Sequence, residues 1–274
     1  MKGLIASALI LCAALALAAC SNLPPAPTRI LFVGNSLIYT SNLPAVLDAL
    51  GEANGHAIHS EMLVQGGATL SERVKDGSVD AVLAKGRYDY VVLQERGGDL
   101  ICRGPASCET ARVSKEALQS LAATAREHGA KPLFLGTYQP LPSASAALMQ
   151  VEAQAAASAS VPLIPVSGLL AKALASNPDL PWHDDDGMHP GPQLQLLNAV
   201  LLYRELTGGY PDAASFAVTA PMYTPRAKFF PPLLASEKVV VKGDAASRHE
   251  YSSDAVAVAL KLARAANSES TPAG

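Results

Sequence analysis

Two short motifs, far apart in the chain, contain a candidate serine nucleophile and the residues that could activate it. Residues 34–37 read Gly-Asn-Ser-Leu, and residues 186–190 read Asp-Gly-Met-His-Pro. A serine hydroxyl is a weak nucleophile near neutral pH, so it needs an imidazole to take its proton and a carboxylate to orient that imidazole. Ser36, His189 and Asp186 therefore form a candidate catalytic set for acyl transfer.

The position of Ser36 has two interpretations. The apolar run at residues 30–33 is typical of a buried parallel strand, and apolar residues from Leu43 onward recur with helical spacing. A serine at such a strand-to-helix junction has its hydroxyl and amide near a helix N-terminus, where developing negative charge is stabilised. The same position also suits a residue that only caps the helix. The second motif shifts the balance toward catalysis.

The spacing of the second motif supports a base and its orienting acid. Asp186 and His189 are three residues apart, so one turn of backbone brings them to a common side. Pro190 suits the first position of a helix with an apolar face that includes Leu194 and Leu197. We expect this helix to place His189 at its positive end, where the imidazole stays neutral and accepts a proton.

The rest of the chain alternates between strand and helix patterns. Further strands are predicted near residues 58–64, 90–93, 133–135 and 161–166. Helices are predicted near residues 43–50, 109–129 and 145–157, and another helix begins at the capping box Thr69-x-x-Glu72. Such alternation predicts an α/β fold with a five-stranded parallel sheet between helices, and a ligand site beyond the carboxyl ends of the strands. Ser36, Gln94 and Tyr138 all follow strand ends at that edge.

The segment after residue 208 has a weaker pattern. Several prolines interrupt it, residues 239–241 could form an edge strand, and residues 253–266 have the periodicity of a last helix. We expect one domain over residues 29–266, because no linker is long enough to separate a second, and a disordered tail at residues 267–274.

The two motifs resemble those of the SGNH or GDSL hydrolases, which are serine esterases and deacetylases. Residues 34–37 are similar to the first block, Gly-Asp-Ser-Leu, with asparagine for aspartate, and residues 186–190 match the last block, Asp-x-x-His followed by proline. The resemblance covers roughly residues 29–208 and implies a flavodoxin-like three-layer α/β/α sandwich. It also implies that Gly67, in the second block, supplies an oxyanion amide together with Ser36.

The third block departs from the family pattern, Gly-x-Asn-Asp. Residues 91–99 read Val-Val-Leu-Gln-Glu-Arg-Gly-Gly-Asp and contain no asparagine. Gln94 carries the same amide donor on a longer side chain and is the expected replacement at the oxyanion. The alternative is that Gln94 only ties loops together, which would leave the oxyanion to the amides of Ser36 and Gly67.

The resemblance implies a carboxylic ester hydrolase that needs no cofactor or metal. An exported protein of this family is expected to remove small acyl groups, acetyl above all, from envelope or environmental carbohydrates. Trp182 is a candidate wall for a sugar ring, and its alternative role is core packing. Tyr138 is a second candidate substrate contact.

Two rival functions belong to other classes. The cluster of His183, Asp184, Asp185, Asp186 and His189 has the ligand types of a metal site, although three successive aspartates cannot all face one ion. A lipid-anchored envelope binding protein with a decayed hydrolase site is the second rival, because the third-block asparagine is missing.

The N-terminus has the pattern of an exported lipoprotein. Lys2 precedes an apolar stretch at residues 4–19, which is too short for a typical membrane span and ends in Leu-Ala-Ala-Cys at residues 17–20. This quartet resembles the bacterial lipobox, so residues 1–19 are the predicted signal peptide, Cys20 the lipidated residue and residues 20–28 a tether. Ser21 then favours the outer membrane, facing the periplasm. An ordinary secretory signal cut near Ala19 is the alternative.

The net charge argues against nucleic-acid binding, and the cysteine spacing predicts a disulfide. The net charge of −3 lacks the basic excess of a nucleic-acid-binding protein. Cys102 and Cys108 are close in sequence in a protein predicted to be exported, so we expect them to form a disulfide rather than a metal site.

Overall fold

The computed structural model of the protein describes residues 26–139, 141–229, 233–236 and 247–270. The predicted signal peptide, Cys20, most of the tether and the possible edge strand at residues 239–241 lie outside these residues. Within them, no helix has the length and apolar character needed to cross a membrane.

In the described residues, eight strands form two sheets: β1 (Thr28–Gly34), β2 (Ile58–Val64), β3 (Tyr90–Leu93), β4 (Lys131–Leu135), β5 (Leu163–Ile164), β6 (Phe216–Ala220), β7 (Leu234–Ala235) and β8 (Ser247–Tyr251). The central sheet has the order β5-β4-β3-β1-β2-β7, in which β1 to β5 are parallel and β7 runs antiparallel to β2. The α/β fold is thus confirmed, with a sixth, antiparallel edge strand in addition to the five predicted.

Nine helices are described in these parts of the chain: α1 (Ser36–Tyr39), α2 (Leu43–Ala53), α3 (Leu70–Asp76), α4 (Ser78–Leu83), α5 (Pro105–Glu127), α6 (Pro142–Ala159), α7 (Ser167–Ser176), α8 (Pro192–Thr207) and α9 (Ser253–Ser270). The predicted capping box is present at the start of α3. Helix α9 extends into the predicted tail, so residues 267–270 are helical.

Helix α8 begins at Pro192 instead of the predicted Pro190. Gly191 is its N-cap residue, and Pro190 forms an isolated antiparallel bridge with His183. This pairing keeps Pro190 extended, so His189 lies in a loop ahead of the helix. The predicted effect of the helix dipole on His189 therefore loses its geometric basis, because such effects fall off within the first turn.

The core lies on both faces of the central sheet. In β1, Ile30 and Phe32 pack in the cluster that includes α2, α8 and α9, whereas Leu31 and Val33 pack in the cluster that includes α5. All four side chains are fully buried. The continuous apolar run in the sequence therefore reflects a strand covered by helices on both faces, as a three-layer sandwich requires.

The segment after residue 208 packs on the same core as the sheet. Strands β6 and β8 pair antiparallel, and the rings of Phe216 and Tyr251 stack with their centroids 5.0 Å apart. The Tyr251 hydroxyl donates a hydrogen bond to the Pro192 carbonyl, 3.2 Å away, at the start of α8. This segment therefore supports the helix that follows His189.

The predicted disulfide is confirmed. Cys102, in the loop after β3, is bonded to Cys108, in the first turns of α5, and their Cα atoms lie 4.2 Å apart. The bond closes a short loop, so its effect on the entropy of the unfolded chain amounts to about 2–3 kcal/mol.

Candidate active site

The serine nucleophile lies directly beyond the end of the central strand. β1 ends at Gly34, and Ser36 is the first residue of α1. A Cβ atom on Gly34 would lie 2.7 Å from Ile38 Cδ1 and 3.0 Å from the Gln94 carbonyl oxygen. A larger residue at position 34 would therefore require Ile38 or the chain after β3 to shift.

Asn35 fixes the turn from both sides. Its Oδ1 accepts a hydrogen bond from the Leu37 amide at 3.1 Å, and its Nδ2 donates to the Ala68 carbonyl at 3.1 Å. The second contact joins the nucleophile turn to the loop that carries Gly67. An aspartate could make the first hydrogen bond and could not donate the second.

His189 stands between the serine and the acid. Its Nε2 lies 2.9 Å from Ser36 Oγ, and its Nδ1 lies 2.6 Å from Asp186 Oδ2. With the imidazole proton on Nδ1 and shared with Asp186, Nε2 is free to accept the hydroxyl proton of Ser36. The structure therefore brings the three predicted residues together in the order that nucleophilic catalysis requires.

Asp186 is held as an anion. Partial desolvation opposes its ionisation, but hydrogen bonds from the His189 and Met188 amides, at 2.9 and 2.8 Å, together with the imidazole, lower its pKa to about 2. Both amides bind Oδ1, which leaves Oδ2 for the imidazole. The three-residue spacing thus lets one carboxylate orient the loop and the base together.

Sequence reasoning missed Gln195, which links the helix after the base to the helix that carries the nucleophile. Gln195 of α8 is fully buried, and its Nε2 donates to the carbonyls of Leu37 and Thr40, at 3.0 and 2.7 Å. These carbonyls lie at the end of α1, where they have no intrahelical partner. A buried glutamine between leucines of α8 was the available sequence signal.

Ser36 and Gly67, whose amides are expected to bind the oxyanion, both line the cavity. Gly67 has a left-handed backbone, with φ of +70°, which favours glycine, and it lines the same cavity as Ser36 and His189. In the described parts of the chain, no hydrogen bond occupies the backbone amides of Ser36 or Gly67. These two donors are therefore available to a developing oxyanion.

Gln94 does not have the orientation that the oxyanion role requires. Its side chain is 2% exposed, and its Nε2 donates to the Gly136 carbonyl at the end of β4, 3.2 Å away. Gln94 directly follows β3, its side chain reaches the end of β4, and it is not among the residues that line the cavity over Ser36. The prediction that Gln94 replaces the third-block asparagine is corrected accordingly, and Gln94 ties the ends of β3 and β4 together.

Two buried carboxyl groups hold the loops around the cavity. Glu95 accepts hydrogen bonds from the amides of Arg96 and Leu70, and Glu152 accepts them from the amide and hydroxyl of Thr137. Burial raises the pKa of each carboxyl group to about 7, against the opposing effect of these hydrogen bonds.

Tyr138 forms a wall of the cavity, next to the loop of the base. Its hydroxyl donates to the Met188 carbonyl at 2.8 Å, and its ring lies edge-on to His183, with centroids 5.6 Å apart. Burial, and after it the charge of Asp186, raises the pKa of the Tyr138 hydroxyl, which therefore remains a donor. The residue lines the site as predicted and also supports the loop beside His189.

Trp182 is a core residue. It is 1% exposed, and its Nε1 donates to the Asn177 carbonyl at 2.8 Å. A ring covered in this way has no face for a sugar, so the predicted role in substrate binding is wrong. Its other interpretation, core packing, is the one that the structure shows.

The rival metal site also lacks a suitable arrangement. Within the described residues, no group of three or more His, Cys, Asp or Glu side chains is placed to hold a metal ion. Asp186 binds the imidazole of His189, and His183 contacts the ring of Tyr138.

Comparisons with known proteins agree with this geometry. A candidate SGNH hydrolase from Slackia heliotrinireducens is 26% identical, with a TM-score of 0.53 over 66% of this chain and 100% of its own. An acetylxylan esterase from Geobacillus stearothermophilus is 15% identical, with a TM-score of 0.53 over 67% of this chain and 96% of its own. A DUF4886 family protein from Bacteroides uniformis is 14% identical, with a TM-score of 0.57 over 88% of this chain and 95% of its own.

These likenesses support the SGNH/GDSL-type architecture inferred from the motifs. The second and third proteins are too distant in sequence to show more than the fold. No protein-family model matches the sequence, and comparison with curated proteins gives no match.

Proposed function

We propose that this chain, which has the fold of the SGNH/GDSL-type hydrolases, hydrolyses carboxylic esters through Ser36. The observation that carries the proposal is the continuous relay from Ser36 Oγ to His189 Nε2, 2.9 Å, and from His189 Nδ1 to Asp186 Oδ2, 2.6 Å. A serine that only capped a helix would not need an oriented imidazole on its hydroxyl.

The reaction follows from these contacts. Ser36 Oγ attacks the ester carbonyl while His189 Nε2 takes the hydroxyl proton, and the amides of Ser36 and Gly67 donate to the oxyanion of the tetrahedral intermediate. Collapse of this intermediate breaks the bond to the alcohol, which leaves with the proton from His189. Water, deprotonated by His189, then attacks the acyl-enzyme and releases the carboxylic acid and free Ser36.

We propose small acyl groups, acetyl first, as the acyl part. One of the structural neighbours is an acetylxylan esterase, which is compatible with this choice. The preference for carbohydrate has less support than it had from the sequence, since Trp182 is buried and offers no surface to a sugar ring.

The purified chain is expected to hydrolyse p-nitrophenyl acetate at the same rate with and without EDTA, and to form a covalent adduct with diethyl p-nitrophenyl phosphate on the peptide that contains Ser36. Rate and adduct are measured by absorbance and peptide mass. Loss of turnover with EDTA would favour the metal-dependent rival. Absence of both turnover and adduct would favour the decayed binding protein.

We also propose that the protein is exported and anchored through lipid on Cys20 to the outer membrane, facing the periplasm. The support is the residue pattern at positions 17–21. Cys20→Ser is expected to release the protein from the membrane fraction or to leave the signal uncleaved, as judged by fractionation and intact mass. An unchanged membrane fraction with normal cleavage would show that lipid on Cys20 is not the anchor.

A further inference from the structure

A second cavity adjoins the one over the catalytic residues. The first, about 310 Å³, is lined by Ser36 and His189, and the second, about 470 Å³, lies between α6 and α7. Tyr138 and Gln139 line both, so the cavities share a wall. Both have the size of small-molecule sites. The second cavity is therefore an immediate neighbour of the one over Ser36.

The second cavity is lined mainly by apolar side chains. Met149 of α6 and Leu170 and Leu174 of α7 line it, and no Asp, Glu, Lys or Arg is among its lining residues in the described chain. Two hydroxyls in the lining, those of Ser145 and Ser167, are hydrogen-bonded to each other. Each hydroxyl therefore already has a polar partner within the protein.

The histidine of this cavity adds no positive charge at neutral pH. Burial lowers the pKa of His183, with the charge of Asp186 opposing the shift. The imidazole also packs against the ring of Tyr138. The cavity is thus suited to a neutral, apolar group.

Exposed large hydrophobic side chains concentrate around the two cavities. In the described residues there are five: Val74, Leu141, Met149, Leu174 and Met188. Met149 and Leu174, 45% and 38% exposed, line the second cavity, and Met188 lines the first. Leu141 directly precedes Pro142, which lines the second cavity. Of the five, only Val74, on α3, is neither in the lining of a cavity nor next to a lining residue. Exposed apolar side chains grouped around a cavity in this way are typical of a ligand-binding groove.

We propose that the cavity between α6 and α7 binds an aliphatic chain attached to the ester substrate. This inference rests on the proposed ester hydrolysis and names the substrate class: esters with a hydrocarbon chain. A chain on the alcohol side keeps the small acyl group proposed above, and a chain on the acyl side would replace it. A sugar would bring hydroxyls that lose water on entry, and this lining offers few partners to replace it.

The expected signature is a rise in kcat/KM with chain length. Each methylene buried in an apolar site increases binding about fourfold when burial is complete. If the chain is on the acyl side, we expect kcat/KM for p-nitrophenyl hexanoate to be at least tenfold higher than kcat/KM for p-nitrophenyl acetate. If the chain is on the alcohol side, kcat/KM should instead be higher for hexyl acetate than for ethyl acetate. Both rates are measured in a pH-stat at ester concentrations below those at which micelles form.

Two exposed alanines allow the cavity to be filled with little strain. Ala146 of α6 and Ala171 of α7 both line it and are exposed to solvent. Ala146→Trp and Ala171→Trp are expected to lower, at least tenfold, the ratio of kcat/KM for the six-carbon ester to kcat/KM for its two-carbon counterpart. Ala153→Trp is the matched control, because Ala153 is exposed on α6 and does not line the cavity.

The outcomes separate this inference from the proposed function. A chain-length preference that both cavity variants reduce, and that Ala153→Trp retains, supports the inference. Hydrolysis of p-nitrophenyl acetate without any chain-length preference, or a preference that both cavity variants leave intact, overturns it while ester hydrolysis stands. No hydrolysis of any ester by the wild-type chain means that the proposed function itself has failed.

Discussion

Ser36→Ala is expected to lower kcat/KM for p-nitrophenyl acetate about 10⁵-fold or more, because it removes the atom that forms the acyl-enzyme. His189→Ala should cost nearly as much, since Ser36 Oγ then loses the acceptor that lies 2.9 Å away. The double variant should be no worse than either single one, because the members of a triad act as a unit. The losses are measured as the rate of p-nitrophenol release by each variant, and covalent labelling shows whether residue 36 still reacts.

Gln94→Ala is a suitable comparison for these variants. Its side-chain amide is engaged with the Gly136 carbonyl, so we expect kcat to stay within about tenfold of wild type when the variant is folded. A loss of kcat of about 10²–10³ at unchanged KM would instead show that Gln94 donates to the oxyanion.

Near-normal turnover by Ser36→Ala would rule out Ser36 as the nucleophile.

Asp186→Asn is expected to lower kcat about 10⁴-fold while leaving the fold intact. The asparagine Oδ1 can still accept the amides of Met188 and His189, so the loop is retained. Its amide nitrogen, however, would take the place of Oδ2 and donate to His189 Nδ1. The imidazole proton would then lie on Nε2, which could no longer take the proton of Ser36.

Asp185→Asn is the matched control for this change. Asp185 is exposed in the same loop, next to Asp186 in sequence, and we expect its variant to keep the wild-type kcat. Both variants are assayed with p-nitrophenyl acetate after thermal unfolding has shown that they are folded. If Asp186→Asn keeps a kcat within tenfold of wild type, Asp186 does not set the tautomer of His189.

Features that depend on neighbouring residues were predictable from the sequence. The strand at residues 58–64, the capping box at Thr69 and Glu72, and the pairing of Asp186 with His189 all follow from spacing over a few positions. The strand-helix alternation predicted the sheet edge at which Ser36 lies. Its proximity to the distant loop of His189 followed from the family resemblance and the chemistry that both residues serve.

Features that depend on packing between distant segments required the tertiary structure. Gln94 could donate into the site or into the sheet edge, and the position of the Gly136 carbonyl decided between them. Trp182 could line the site or the core, and its burial depends on elements far away in sequence. The edge strand β7 is only two residues long and pairs with β2 across more than 170 positions, so no local pattern marks it.

The sequence by itself indicated the candidate catalytic residues and the layered α/β architecture, because amino-acid type and short-range periodicity encode both. The tertiary structure alone showed that Gln94 binds the Gly136 carbonyl, where α8 begins and that an apolar cavity between α6 and α7 adjoins the candidate catalytic one. The physical reason is that side-chain direction and cavity shape arise from contacts between elements. Such contacts depend on the whole fold, whereas a strand or a capping box depends on a few consecutive residues.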